Sequence, residues 1–149
     1  MRLQHLDRMD VSASALAAYR QRMNVIAENL ANAQTTRTEA GGPYRRQEVL
    51  FEAAQPRGAG ALGNALNGSS PAGQQVRARV VTDERTPFTE VHDPGHPDAD
   101  ANGVVRYPNV NPAVEMVNLV LAARAYEANV AALRAEKQIN ELALGIGRG

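Results

Sequence analysis

Apolar or small residues recur at Leu16, Tyr19, Met23, Ile26, Leu30 and Ala33, a 3-4-3-4-3 spacing. That is the period of a helix with one narrow apolar seam, tighter than the broad stripe of an ordinary surface helix. It predicts a helix over about residues 10–34, within an N-terminal helical region at 1–36. Asp10 or Ser12 is expected to cap its start by accepting a hydrogen bond from an orphan amide, and Ser14 belongs to the same first turn. Helix propensity falls where Thr35 and Thr36 follow Asn32. At 1.5 Å per residue such a helix is roughly 35–40 Å long.

A second helical pattern occupies 111–149. It opens with Asn111-Pro112, an N-cap followed by proline at the first helical position, and is expected to end near Leu144, before Gly145 and Gly147. Two stripes run along it. One passes through Met116, Leu119, Ala123, Tyr126, Val130 and Leu133. The other passes through Leu121, Ala125, Ala128, Ala132, Ala135, Ile139, Leu142 and Ile146.

Between the helices, residues 37–110 lose the helical period. Gly41-Gly42-Pro43 breaks the chain, and Tyr44 to Phe51 reads as a strand. A segment around 53–75 is rich in Gly, Ala, Asn and Ser with few bulky side chains, and is expected to be a flexible loop. Val76, Ala78 and Val80 alternate with Arg77 and Arg79, a strand with one apolar face. Asn102-Gly103 is a turn signal beside a short strand, Val104 to Tyr107. The fold class expected is therefore α+β: long N- and C-terminal helices packed as a coiled-coil-like pair, with a small, mostly β insertion between them.

Two stripes on one helix change the functional picture. A single intramolecular partner covers one face, so the other must be covered by the insertion or by another molecule. Burying each Leu, Ile, Val or Met is worth roughly 1.5–3 kcal/mol, so an uncovered stripe drives association. The residues expected to carry assembly contacts are Leu16, Tyr19, Met23, Ile26, Leu30, Met116, Leu119, Tyr126, Val130 and Leu133.

Composition narrows the classes. The 149 residues carry 16 basic and 16 acidic side chains, so no charge footprint for nucleic acid appears. Aromatic residues make up only 4%, leaving any core to aliphatic and small side chains. Cysteine is absent, which removes disulfides, thiolate catalysis and Cys-based metal sites. Residues 1–10 carry charges where a signal peptide needs an apolar run, and the apolar stretches are too short to span a bilayer. A soluble chain without a cleavable signal or direct membrane insertion is expected.

Candidate chemistry is sparse. His92, Asp93, His96, Asp98 and Asp100 fall within nine residues and are donors a divalent ion would accept. They sit among prolines and a glycine, where Asp side chains ordinarily build turns. No Ser, His and carboxylate set is positioned for nucleophilic catalysis, and no phosphate-cradling glycine motif occurs. Arg45-Arg46 reads as a solvated pair on a strand. No catalytic residue, cofactor or metal is assigned.

One resemblance is specific. Ser14-Ala15-Leu16, Arg22 to Ala33 with its Asn29-Leu30-Ala31-Asn32 core, and Thr35-Thr36 resemble the N-terminal signature of bacterial flagellar axial proteins, the rod, hook and hook-associated subunits. Thr36 to Arg46, His92 to Asp100 with Asn102-Gly103, and Tyr107 to Pro112 are similar to the C-type proximal rod branch of that family. Glu115 to Asn118 and Ala123 to Asn129 are similar to its C-terminal helix. Together these cover about 10–51 and 85–144, while 53–73 departs from the family's insertion.

The resemblance implies terminal helices forming an inner tube wall, with the insertion facing outward. It implies export in an unfolded state by the flagellar type III apparatus, and polymerisation into the periplasmic rod of the basal body, which carries torque from motor to hook. The partners it implies are other copies of the chain, other rod subunits, the MS-ring and export-gate base, and hook–basal-body proteins. Two other classes compete with this structural reading: a metal-dependent hydrolase using His92, His96 and Asp98, and a helical adaptor acting in the cytoplasm.

Overall fold

The computed structural model describes residues 2–54 and 75–146, with side chains from residue 11 onward except those of 144 and 146. Most of the expected 53–75 loop lies outside the described residues. Helix α1 spans Arg2–Ala31, followed by strands β1 (Gln47–Ala54), β2 (Gln75–Thr82), β3 (Thr89–His92) and β4 (Val104–Tyr107), and by helix α2 (Pro112–Ile146). β1 pairs with β2, and β3 with β4, in two two-stranded sheets. In the antiparallel β3–β4 pair Thr89 faces Tyr107 and His92 faces Val104. The fold is α+β, as expected.

Several boundaries differ from the pattern-based ones. α1 begins at Arg2, so Asp10, Ser12 and Ser14 are interior and cap nothing. No Gly or Pro interrupts residues 2–31, and nothing local stops the helix there. α1 ends at Ala31, earlier than the predicted 34 or 36, because Asn32 turns on itself. Its Nδ2 donates to Glu28 O at 2.9 Å, and Thr35 Oγ1 donates to Asn32 Oδ1 at 3.2 Å. At the other end of the molecule, Gly145 lies inside α2.

The strands show similar shifts. β1 starts at Gln47 rather than Tyr44. β2 alternates as predicted through Arg79, then slips phase: Val80 faces out and Val81 turns inward. β3 was not expected at all, and takes His92 out of the predicted loop. Asn102 keeps a negative φ and only Gly103 is left-handed, at φ 72°, so the pair closes an eleven-residue connection and is not a two-residue hairpin.

The chain forms two compact units. One comprises Met1–Gln21, Phe51–Arg79 and Ala123–Gly149; the other comprises Arg22–Leu50 and Val80–Ala122. In the first, Ala18 is buried and Tyr19 meets Phe51 edge-on at 5.1 Å. Ser14 Oγ donates to Val11 O at 2.7 Å and accepts Val76 N–H at 2.9 Å, tying β2 to α1. In the second unit Val25, Ile26, Val49, Val105, Pro108 and Ala122 are buried together with Asn29, Asn109 and Glu115. Three buried polar side chains among so few apolar ones must each find partners. Among the described residues no helix is long and apolar enough to cross a membrane.

Candidate functional site

The polar centre of the second unit joins four chain segments. Asn29, in the last turns of α1, is 0% exposed, and its carboxamide is fully used. Nδ2 donates to Gln47 O at 2.8 Å and to Glu115 Oε2 at 3.3 Å. Oδ1 accepts Gln47 N–H at 2.9 Å and the Tyr44 hydroxyl at 3.0 Å. Two donors and two acceptors exhaust what an amide side chain can make.

Glu115 lies in the first turn of α2 and is 1% exposed. Its Oε1 accepts Arg46 Nε–H at 2.8 Å, so the buried carboxylate has an opposite charge as well as an amide. The positive end of α2 adds to this at the same place. Asn111 caps that end as predicted, its Oδ1 accepting Ala113 N–H at 3.0 Å and Val114 N–H at 3.3 Å. Asn109 extends the network: Oδ1 accepts Arg46 N–H at 2.8 Å, and Nδ2 donates to Asp83 O and Thr86 O, each at 3.2 Å. Burial, followed by the Glu28 and Glu115 carboxylates, pushes the Tyr44 phenol above its usual range and keeps it a neutral donor.

Pattern reasoning missed this cluster. Arg45-Arg46 was expected to be solvated, yet Arg46 holds Glu115, and Arg45 lies over the Phe88 ring at 4.2 Å while donating to Asp83 O at 3.3 Å. The one available signal was Glu115 itself, a charge set among Val114, Met116 and Val117.

The His/Asp segment is committed to turn building. Asp93 Oδ1 accepts Gly95 N–H, and His96 Nδ1 accepts Asp98 N–H at 3.1 Å. Asp98 Oδ2 accepts the Thr36 hydroxyl at 2.7 Å, fastening the exit of α1 to this loop, with Arg37 at 3.7 Å from Oδ1. Asp100 Oδ1 accepts Asn102 and Val104 N–H at 2.8 and 2.9 Å. The Val104 bond, then the Asn102 bond, holds the Asp100 carboxyl below its usual range. Among the described residues no three His, Asp or Glu side chains are placed to hold a metal ion.

The ten predicted contact residues divide. Ile26, 5% exposed, is sealed in the chain's own core. Leu16, Tyr19, Met23, Leu30, Leu119, Tyr126, Val130 and Leu133 are half-buried, and Met116 is exposed. α2 also exposes Val114, Val117, Val120, Leu121, Ile139 and Leu142; Leu121, Ile139 and Leu142 belong to the second predicted stripe and are 60–69% exposed.

Residues 9–37 match the family model described as flagella basal body rod protein, and 101–146 match that described as flagellar basal body rod FlgEFG protein C-terminal. The chain is 44% identical to the flagellar basal-body rod protein FlgC of Bacillus subtilis (strain 168), over 94% of this chain and 96% of the relative. It is 38% identical to FlgC of Borreliella burgdorferi, over 95% and 96%, and 38% identical to FlgC of Salmonella typhimurium, over 96% and 98%. With identity at this level over nearly the whole of both chains, the chain belongs to the FlgC family of flagellar basal-body rod proteins.

Proposed function

We propose that this chain is a structural, non-catalytic subunit of the flagellar basal-body rod, working by packing and not by chemistry. Its family supports that role. The observation that carries the packing mode is the outer face of α2: Val114, Met116, Val117, Val120, Leu121, Ile139 and Leu142 stand in solvent. A face of that size and character is stable once other subunits cover it.

The terminal helices form the axial part of the subunit and the 37–110 segment its outward insertion. The exposed stripe makes the contacts, with half-buried Leu16, Tyr19, Met23, Leu30, Leu119, Tyr126, Val130 and Leu133 at their rim. The partners are further copies of the chain, neighbouring rod subunits, the MS-ring and export-gate base, and hook–basal-body proteins, reached after type III export. Contacts between unlike patches that do not close into a ring build a helical shaft.

The test is fractionation of cells carrying an epitope-tagged copy in place of the native gene. The tag co-purifies with detergent-extracted basal bodies. A tag confined to the cytoplasm in swimming cells overturns the reading in favour of an adaptor.

A further inference from the structure

Within the second unit α2 meets α1 where Asn29 donates to Glu115. Among the described residues of α2 only Glu115 and Ala122 are buried, and a single small apolar side chain accepts a neighbouring helix in several alignments at nearly equal apolar cost. A slide of one turn moves α2 by about 5.4 Å. It would bring Leu119, or in the other direction Asn111, to the place that Glu115 holds against Arg46 and Asn29. Glu115 would then be a charge without its partner, and Asn29 an amide with a donor unused.

The apolar terms therefore do not choose among alignments, and the polar cluster does. We propose that Asn29, Arg46 and Glu115 form an alignment lock, selecting one register of α2 against α1 and β1 without being a net source of stability. Two physical arguments support this division. A buried ion pair recovers little more than its own desolvation cost, so its apolar replacement is often neutral or stabilising. A misplaced buried charge is heavily disfavoured, which is how single polar residues fix register in helical seams. The lock is a property of the lone chain and stands or falls independently of rod assembly.

The chain has no native cysteine, so register can be read by disulfide trapping in the full-length protein. Arg22 and Asn118 border the same small cavity of about 20 Å³. The pair Arg22→Cys with Asn118→Cys reports the observed alignment. Arg22→Cys with Val114→Cys, or with Ala122→Cys, reports a one-turn slide in either direction. With the cluster intact, the 22–118 disulfide is expected to form on the order of 100-fold faster than either slipped pair. In an Arg46→Met, Glu115→Leu background, all three pairs should form at comparable rates, with the urea midpoint unchanged or raised.

Glu115→Gln keeps the shape and removes the charge, and must also raise the slipped pairs. It decides the matter should the double variant fail to fold. The proposal is overturned if the slipped pairs already rival 22–118 with the cluster intact. It is equally overturned if 22–118 remains the sole product in the folded variants, or if the folded double variant has a lower urea midpoint.

Discussion

Asn29 and Gln47 exchange two hydrogen bonds, the side-chain amide of one with the main-chain amide of the other, at 2.8 and 2.9 Å. A helix residue thus supplies β1 with the donor and acceptor that a neighbouring strand would otherwise present. This is the physical reason an asparagine stands near the end of α1.

Asn29→Ala is expected to destabilise the protein by roughly 2–4 kcal/mol, since it strips partners from buried Gln47, Tyr44 and Glu115 groups. Asn29→Asp should be worse, because it places a second carboxylate beside Glu115. Urea denaturation followed by circular dichroism measures both. An Asp variant as stable as the native chain would contradict the hydrogen-bond assignment.

Surface and core substitutions on the helices should part company. Ile26→Asp places a charge in the core of the second unit, and the subunit should lose its fold and its cellular abundance together. Leu121→Asp with Leu142→Asp should leave abundance and helical signal unchanged while removing the chain from isolated basal bodies and abolishing swimming. Immunoblots of whole cells and basal bodies separate the two outcomes.

Acid should weaken the loops before it reaches the helices. Asp83 is held below its usual range first by the Thr86 hydroxyl, at 2.7 Å, and then by the Thr86 amide; Asp100 is held low by backbone amides. A carboxyl depressed in the folded state binds fewer protons folded than unfolded. Its contribution is therefore complete above the unfolded value of about 4 and is lost as pH falls through the lower folded value. Asp83→Asn with Asp100→Asn should flatten the acid limb of a thermal-midpoint profile below about pH 4 and lower the neutral plateau.

Two left-handed glycines should respond differently to a methyl group. Gly103→Ala meets both an unfavourable φ and a clash, its Cβ falling 2.9 Å from Pro94 Cγ and 3.1 Å from His92 Cε1. Gly41, at φ 85°, has open space around the same position. Gly41→Ala should cost about 1 kcal/mol, the backbone term alone, and Gly103→Ala distinctly more. Comparing their urea midpoints isolates the steric part.

What could be read from the sequence follows the range of the interactions involved. The Asn111-Pro112 start of α2 and the alternation of Val76 to Arg79 are local, and both appear where the residues put them. The start of α1 was hidden because Asp10 and Ser12 look like caps when only neighbours are considered. β3 has no buried side, so Thr89 to His92 carries no alternation to detect. The polar cluster was hidden for a different reason: Asn29, Arg46, Asn109 and Glu115 each resemble surface residues, and only the folded chain brings them within 3.3 Å of their partners. The positions of the second stripe, by contrast, were legible from period, but its exposure at Leu121, Ile139 and Leu142 was not, because the insertion could equally have covered it.

The hydrogen bond between Asn29 and Glu115 spans 86 residues. Its two ends cannot meet until nearly four-fifths of the polypeptide is present, and closing so long a loop is slow compared with forming either helix. A nascent chain can therefore coil its leading segment freely, yet has nothing to fasten it to. The final architecture is set late, by the arrival of the second helix.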